Sequence, residues 1–184
     1  MKLGIDLDGV LADHVRYLIE YLRRSNPSLD ITVDDVDRWN AKVNGIRFKD
    51  LFEYYLRFEE FTLSIPPIEN SIESIDKLYD RYEIYIVTAR PKYCRETTIK
   101  WLNMHGFKYH KLYIDLDYER IDLDIDVLID DNPFNIIGFA CKRKKAIILD
   151  QPWNRKLPMN VTNEIRKYIV RCKDWKAITQ VLLE

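Results

Sequence analysis

"GIDLDGVLAD" (residues 4–13) sets four aliphatic side chains and three acids into ten positions. Lys2 to Leu7 predicts a short buried strand that ends at the acids. Asp6 and Asp8 alternate around Leu7, so both leave the strand end while Leu7 points into the core. Gly9 lets the backbone turn tightly and approach a ligand closely. Beyond it the period changes. Val15, Leu18, Ile19 and Leu22 fall at helical spacing, and Asn26-Pro27 stops the helix.

Further along, strands and helices alternate as in a Rossmann-like, doubly wound parallel sheet of the α/β class. "EIYIVTAR" (83–90) is a strand ending at Thr88, "KLYI" (111–114) a third, "DVLIDDNP" (126–133) a fourth ending in Asp130-Asp131, and "KAIIL" (145–149) a fifth. Ile72, Ile75, Leu78 and Tyr79 mark a helix begun by Asn70 with Glu73 as its capping partner. A helix from Tyr93 to Met104 should end at Gly106, Pro133 should open another, and "DWKAITQVLLE" (174–184) closes the chain. Three strands thus end in polar groups: Asp6 and Asp8, then Thr88-Ala89-Arg90, then Asp130-Asp131. Ligands of open parallel sheets bind outside the carboxyl ends of the strands. If the first, second and fourth strands are neighbours, these groups converge.

Residues 30–62 differ in character. They gather Trp39, Phe48, Phe52, Tyr54, Tyr55, Phe58 and Phe61, with a turn at Asn44-Gly45 and a helical stripe of Phe48, Leu51, Phe52 and Tyr55, but no strand pattern. Pro66-Pro67 closes the segment. The expected organisation is one domain, 1–184, carrying a small helical cap inserted after the first strand at 14–67.

The bulk properties narrow the function. The 184 residues are 47% apolar and 32% charged, as in an ordinary soluble domain able to bury a core. A net charge of -1 argues against nucleic-acid or basic membrane-surface partners. Three dispersed cysteines without a CxxC pair read as reduced thiols, MKLGIDL is too short and too acidic for a secretion signal, and no apolar run approaches the ~20 residues of a membrane span. A cytoplasmic protein is expected. Glycine-rich nucleotide loops are absent, and His14, His105 and His110 form no triad pattern. Cys94 lacks the Arg that a cysteine phosphatase needs, since Lys100 stands there. The acids at 115, 117, 122, 124 and 126 read as the wet face of an edge segment, and "KRKK" (142–145) as a solvated loop.

Three carboxylates from two strand ends would repel one another without a cation. A hard divalent ion suits them, and Mg2+ suits best because it takes oxygen ligands and keeps waters or phosphate oxygens in its shell. "DLDGV", "VTAR" and "LIDDNP" resemble motifs of the haloacid dehalogenase superfamily of phosphohydrolases. With "LDQPWNR" and "VRCKDWKAI", most of the chain resembles the 5'(3')-deoxyribonucleotidase family, particularly its bacterial and phage members. The resemblance implies Asp6 as nucleophile, forming an aspartyl-phosphate, and Asp8 as general acid and base. It implies Mg2+ held by Asp6, the backbone carbonyl of Asp8 and Asp130. Thr88 and the Ala89 N–H would bind the phosphoryl group. The family's phosphate-binding Lys maps by spacing onto Arg120, a departure in residue type, with Lys111 the nearest alternative.

The implied reaction is hydrolysis of (deoxy)ribonucleoside monophosphates. Some cap rings should offer a base-stacking floor, Phe48, Phe52 and Phe61 first among them. A homodimer is compatible with this reading. Rival readings are a phosphatase of the same fold acting on a sugar phosphate or another small phosphoester, and a non-enzymatic, phospho-accepting receiver-like domain. The latter class carries adjacent acids on its first strand and no insertion there.

Overall fold

The computed structural model describes all residues except Trp39, Asn44 and 157–160, so the expectations placed on Trp39 and Asn44 lie outside the described residues. The chain runs β1 (Lys2–Ile5), α1 (His14–Ser25), β2 (Lys42–Val43), β3 (Ile46–Arg47), α2 (Phe48–Tyr55), α3 (Glu59–Leu63), α4 (Ser71–Tyr79) and β4 (Glu83–Thr88). It continues α5 (Arg95–Met104), β5 (Lys111–Ile114), β6 (Val127–Asp130), α6 (Pro133–Cys141), β7 (Lys145–Leu149), α7 (Asn163–Arg166), β8 (Ile169–Cys172) and α8 (Trp175–Leu183).

Six strands form one sheet in the order β5-β4-β1-β6-β7-β8, every pair parallel. β1 lies between β4 and β6, with Ile5 opposite Ile86 on one side and Ile129 on the other. The three strands expected to bring their polar ends together are therefore neighbours. Alternate residues feed opposite faces. Leu3, Ile5, Ile84, Ile86, Val127 and Ile129 join the core beneath α1, α4 and α8, and Tyr85, Val87, Leu128 and Ile148 join the core beneath α6. A sheet covered on both faces needs near-continuous apolar strands, which is what the sequence carries. Gly4 keeps the second face open: a Cβ there would stand 2.5 Å from Ile125 Cδ1.

An insert follows β1, and its two ends are fastened together. The Asp13 N–H donates to Pro66 O at 2.9 Å and the Ile68 N–H to Leu11 O at 2.7 Å, so the proline pair docks on the loop that carries Asp8. The sequence pattern predicts a helical insert, but the insert is not purely helical. β2 and β3 make a two-stranded antiparallel ribbon whose two-residue strands are too short to show a period of two.

One other expectation changes. Asn70 does precede α4, but in a left-handed conformation (φ 61°) without a side-chain cap bond, so the Asn70–Glu73 capping pair is not formed. The acidic segment has the expected wet face, with Asp115, Asp117, Asp122, Asp124 and Asp126 exposed, and within it Tyr118–Asp122 is a 3-10 turn that buries Ile121. "IVRC" forms an unforeseen edge strand, β8, beside β7. Gly106, at φ +74°, ends α5 as its position predicts. No helix among the described residues is long and apolar enough to cross a membrane.

Candidate active site

Past the end of β1 the chain folds into a tight loop, with the Gly9 N–H donating to Ala12 O and the Ala12 N–H to Leu7 O. Gly9 has φ +88°, and a Cβ on it would stand 2.1 Å from Asp131 Oδ2. No other residue fits a left-handed position in such contact. The loop sets Asp6 against the end of β6 and turns Asp8 toward β4.

Asp6, Asp130 and Asp131 are all buried and can bring one carboxylate oxygen each within 4.8 Å of the others. Among the described residues, Arg120 is the cation paired with them. Arg120 Nη1 lies 2.7 Å from Asp6 Oδ1 and 2.8 Å from Asp130 Oδ2, while its Nε and Nη2 donate to the carbonyls of Asp117 and Leu116. The 3-10 turn thus holds this side chain, 2% exposed, in a fixed fork. Lys111 is far from this role, at the start of β5 with its ammonium on the Tyr85 hydroxyl.

The acids are partly satisfied. Asp130 accepts from the Asn132 N–H at 2.7 Å and from Asn135 Nδ2 at 3.0 Å. Asp131 Oδ2 accepts from the Trp153 indole at 2.7 Å, but its Oδ1 has no partner, and neither has Asn135 Oδ1. Burial pushes the Asp6 carboxyl up to about 7; Arg120 opposes the shift, and the charges of Asp130 and Asp8 add to it. Burial, then the charges of Asp6 and Asp130, likewise raises Asp131 well above the ordinary carboxylate range.

Asp8 is not in this cluster. Its two oxygens face Arg90, with Nε–Oδ2 at 2.8 Å and Nη2–Oδ1 at 2.7 Å. Thr88 ends β4 with its hydroxyl accepting from the Arg90 N–H at 3.1 Å, which leaves its own hydrogen free to donate.

Four carboxylates against two guanidinium groups leave a formal surplus of two negative charges, the charge of one divalent cation. The donor set is oxygen throughout, and an orphaned carboxylate oxygen is buried within it. Both properties suit a hard cation.

A cleft, open at its mouth, lies over these groups. Asp6, Asp8, Thr88, Ala89, Arg90 and Arg120 line its floor, and Phe48, Phe52, His14 and Trp153 its apolar wall. Of the three rings expected to take a base, Phe48 and Phe52 reach the cleft. Phe61 does not: it is 1% exposed and packed against Tyr17, Tyr21 and Tyr55 inside the insert. Cys94 is buried, with its thiol pushed by burial up to about 11, which suits no nucleophile.

Sequence reasoning gave no role to Arg90, Asp131, Asn135, His14 or Trp153. Arg90, Asp131 and Trp153 stand inside the quoted motifs, but their partners are distant in sequence.

The family description "5' nucleotidase, deoxy (Pyrimidine), cytosolic type C protein" matches residues 1–183. A chain from Oceanobacillus iheyensis is 29% identical over 98% of both chains. A nucleotidase of Clostridium acetobutylicum is 27% identical, covering 91% of this chain and 88% of its own. Among solved structures, an L-2-haloacid dehalogenase is similar with a TM-score of 0.62 at 13% identity, over 98% of each chain. Bacillus subtilis YfnB, solved bound to magnesium, gives 0.56 at 17% identity over 98% of this chain and 97% of its own. These two likenesses show a haloacid dehalogenase-like fold. The match along nearly the whole sequence shows more: the chain belongs to the cytosolic type C 5'(3')-deoxyribonucleotidase family.

Proposed function

We propose that this nucleotidase releases phosphate from (deoxy)ribonucleoside monophosphates in the cytoplasm by two displacements at Asp6. Residues 14–67 serve as the cap that selects the nucleoside. The observation that carries the reading is the buried Asp6–Asp130–Asp131 cluster, set against Arg120 at the foot of an aromatic-walled cleft.

In the first displacement an Asp6 oxygen bonds to phosphorus and the bond to the leaving oxygen breaks. Asp8 passes its proton to that oxygen, so the nucleoside leaves as a neutral alcohol. In the second, the Asp8 carboxylate takes a proton from water as the water oxygen attacks phosphorus. The Asp6–phosphorus bond breaks, phosphate departs, and Asp8 is again protonated. Thr88 donates its hydroxyl hydrogen to a phosphoryl oxygen, joined by the backbone N–H of Ala89. Arg120 holds the Asp6 carboxylate in place and supplies positive charge beside the transferred group. Mg2+ bound by Asp6 and Asp130, with the Asp8 carbonyl and the free oxygen of Asp131 near, would neutralise charge on the phosphoryl oxygens. Phe48 and Phe52 give a base a flat apolar surface above the phosphate.

A crystal grown with beryllofluoride or aluminium fluoride tests the assignment. The adduct should sit on the Asp6 carboxylate. An adduct on any other residue overturns it.

A further inference from the structure

Asp8 and Arg90 form the most enclosed ion pair at the cleft that the two displacements leave unexplained. The Arg90 side chain is 1% exposed and that of Asp8 16%. Nε and Nη2 lie 2.8 and 2.7 Å from the two Asp8 oxygens, and Nη1 lies 3.3 Å from the Thr98 hydroxyl of α5. The guanidinium is therefore braced from behind by a helix and presented as a planar fork. Such a fork matches a carboxylate in two places at once, and so fixes its orientation as well as its position. Arg120 serves Asp6 and Asp130 in the same cleft, so each of the two reacting acids has an arginine of its own.

We propose that Arg90 is the positioning residue of proton transfer: it aims the Asp8 carboxyl at the leaving oxygen and stabilises the carboxylate that remains once the proton has gone. The inference rests on the two-displacement reading above. In the first displacement the proton moves from an Asp8 oxygen to the departing alkoxide, and the resulting Asp8 anion is left held by both oxygens in the guanidinium fork, as the structure shows it. In the second, that anion, held in the same orientation, takes the proton of the attacking water. An acid left without the fork would lose both its aim and the counter-charge of its anion.

Substrates whose leaving groups need a proton unequally separate this role from a structural one. A deoxynucleoside leaves as an alkoxide and needs the proton, whereas p-nitrophenolate leaves without one. The parameter to compare is kcat/KM, because it reports only the steps up to departure of the leaving group. Arg90→Gln should lower kcat/KM for deoxynucleoside monophosphates on the order of a hundredfold, the scale of general acid help, and for p-nitrophenyl phosphate by less than about tenfold. Asp8→Asn should show the same asymmetry. With p-nitrophenyl phosphate, Arg90→Gln should also release a burst of p-nitrophenolate equal to the enzyme, because the water step is slowed. Arg90→Lys keeps the charge without the fork, and Thr98→Val removes only the brace. Both should show the same pattern to a smaller degree, and they carry the test if Arg90→Gln does not fold. Equal losses on the two substrates, or unchanged kinetics, would overturn the proposal. A wild-type enzyme that hydrolyses alkyl phosphates but not nucleotides would sink the nucleotidase reading instead, and the Arg90 comparison can then be run on the alkyl ester.

Discussion

Arg120 Nη1 stands 2.7 Å from Asp6 Oδ1, within a cluster of three buried carboxylates that it can only partly neutralise. Removing the guanidinium should be costly in two ways. Arg120→Ala leaves buried acids without their counter-charge, a loss of roughly 3–5 kcal/mol in comparable sites, visible as a lowered thermal midpoint. It should also reduce kcat/KM for every phosphomonoester alike, because the phosphoryl group is common to all. Arg120→Lys should recover much of the activity. Unchanged kinetics in Arg120→Ala would move the role elsewhere.

Asp6→Asn should abolish turnover and leave the fold intact. The amide cannot accept the phosphoryl group, and it removes one charge from a site with too many. Circular dichroism should match wild type while phosphate release vanishes. Near wild-type release would refute the nucleophile assignment.

Stability should depend on pH and on Mg2+ together. The Asp6 carboxyl has an ordinary value of 3.8 and stands at about 7 in the fold. The folded chain therefore holds this proton more tightly than the unfolded one. Without metal, the contribution of Asp6 is most favourable below pH ~4 and is lost as pH rises toward ~7. Asp131 acts in the same direction. A cation competes with those protons, so the rise in thermal midpoint on adding Mg2+ should be larger near pH 8 than near pH 5. A shift independent of pH, or larger at pH 5, would contradict a cation among these carboxylates.

Gly9→Ala tests the loop that opens the site. The new Cβ would press on Asp131 Oδ2 and the Trp153 ring in a backbone at φ +88°. The expected loss is about 1–3 kcal/mol of stability, together with weaker Mg2+ binding by calorimetry. A variant as stable and as tight as wild type would show that the loop relaxes freely.

Much of this site is legible in the sequence because strands buried on both faces read as unbroken apolar runs, and polar residues at their ends stand out. Leu3 to Asp8, Ile84 to Arg90 and Leu128 to Asp131 were each recognisable in that way. What stayed hidden depends on packing at a distance. Arg90 lies beside Thr88 in the sequence, but its partner Asp8 is 82 positions away. β8 carries Arg171, which turns outward to Asp150 and Asn154 and breaks the apolar run of that edge strand. In the insert, composition announces aromatic rings without saying which face the cleft. Phe52 and Phe61 are aromatic residues of the same segment, yet only Phe52 lines the cleft while Phe61 is buried inside the insert.

Substrate ranking tests the account's central claim most directly: kcat/KM for phosphate release from deoxyribonucleoside monophosphates, sugar phosphates and p-nitrophenyl phosphate, with Mg2+ present. Nucleotides and sugar phosphates both release an alcohol that needs a proton, so the chemistry at Asp6 and Asp8 treats these two alike and preference between them must arise at the cleft wall. A base stacked on one ring contributes roughly 1–3 kcal/mol in nucleic-acid sites, about ten- to a hundredfold, and the nucleotides should lead by a factor in that range. Phe52→Ala should erase the lead and spare p-nitrophenyl phosphate, whereas Phe61→Leu should lower stability without changing the order. Sugar phosphates turned over faster than nucleotides, or a ranking indifferent to Phe48 and Phe52, would contradict it.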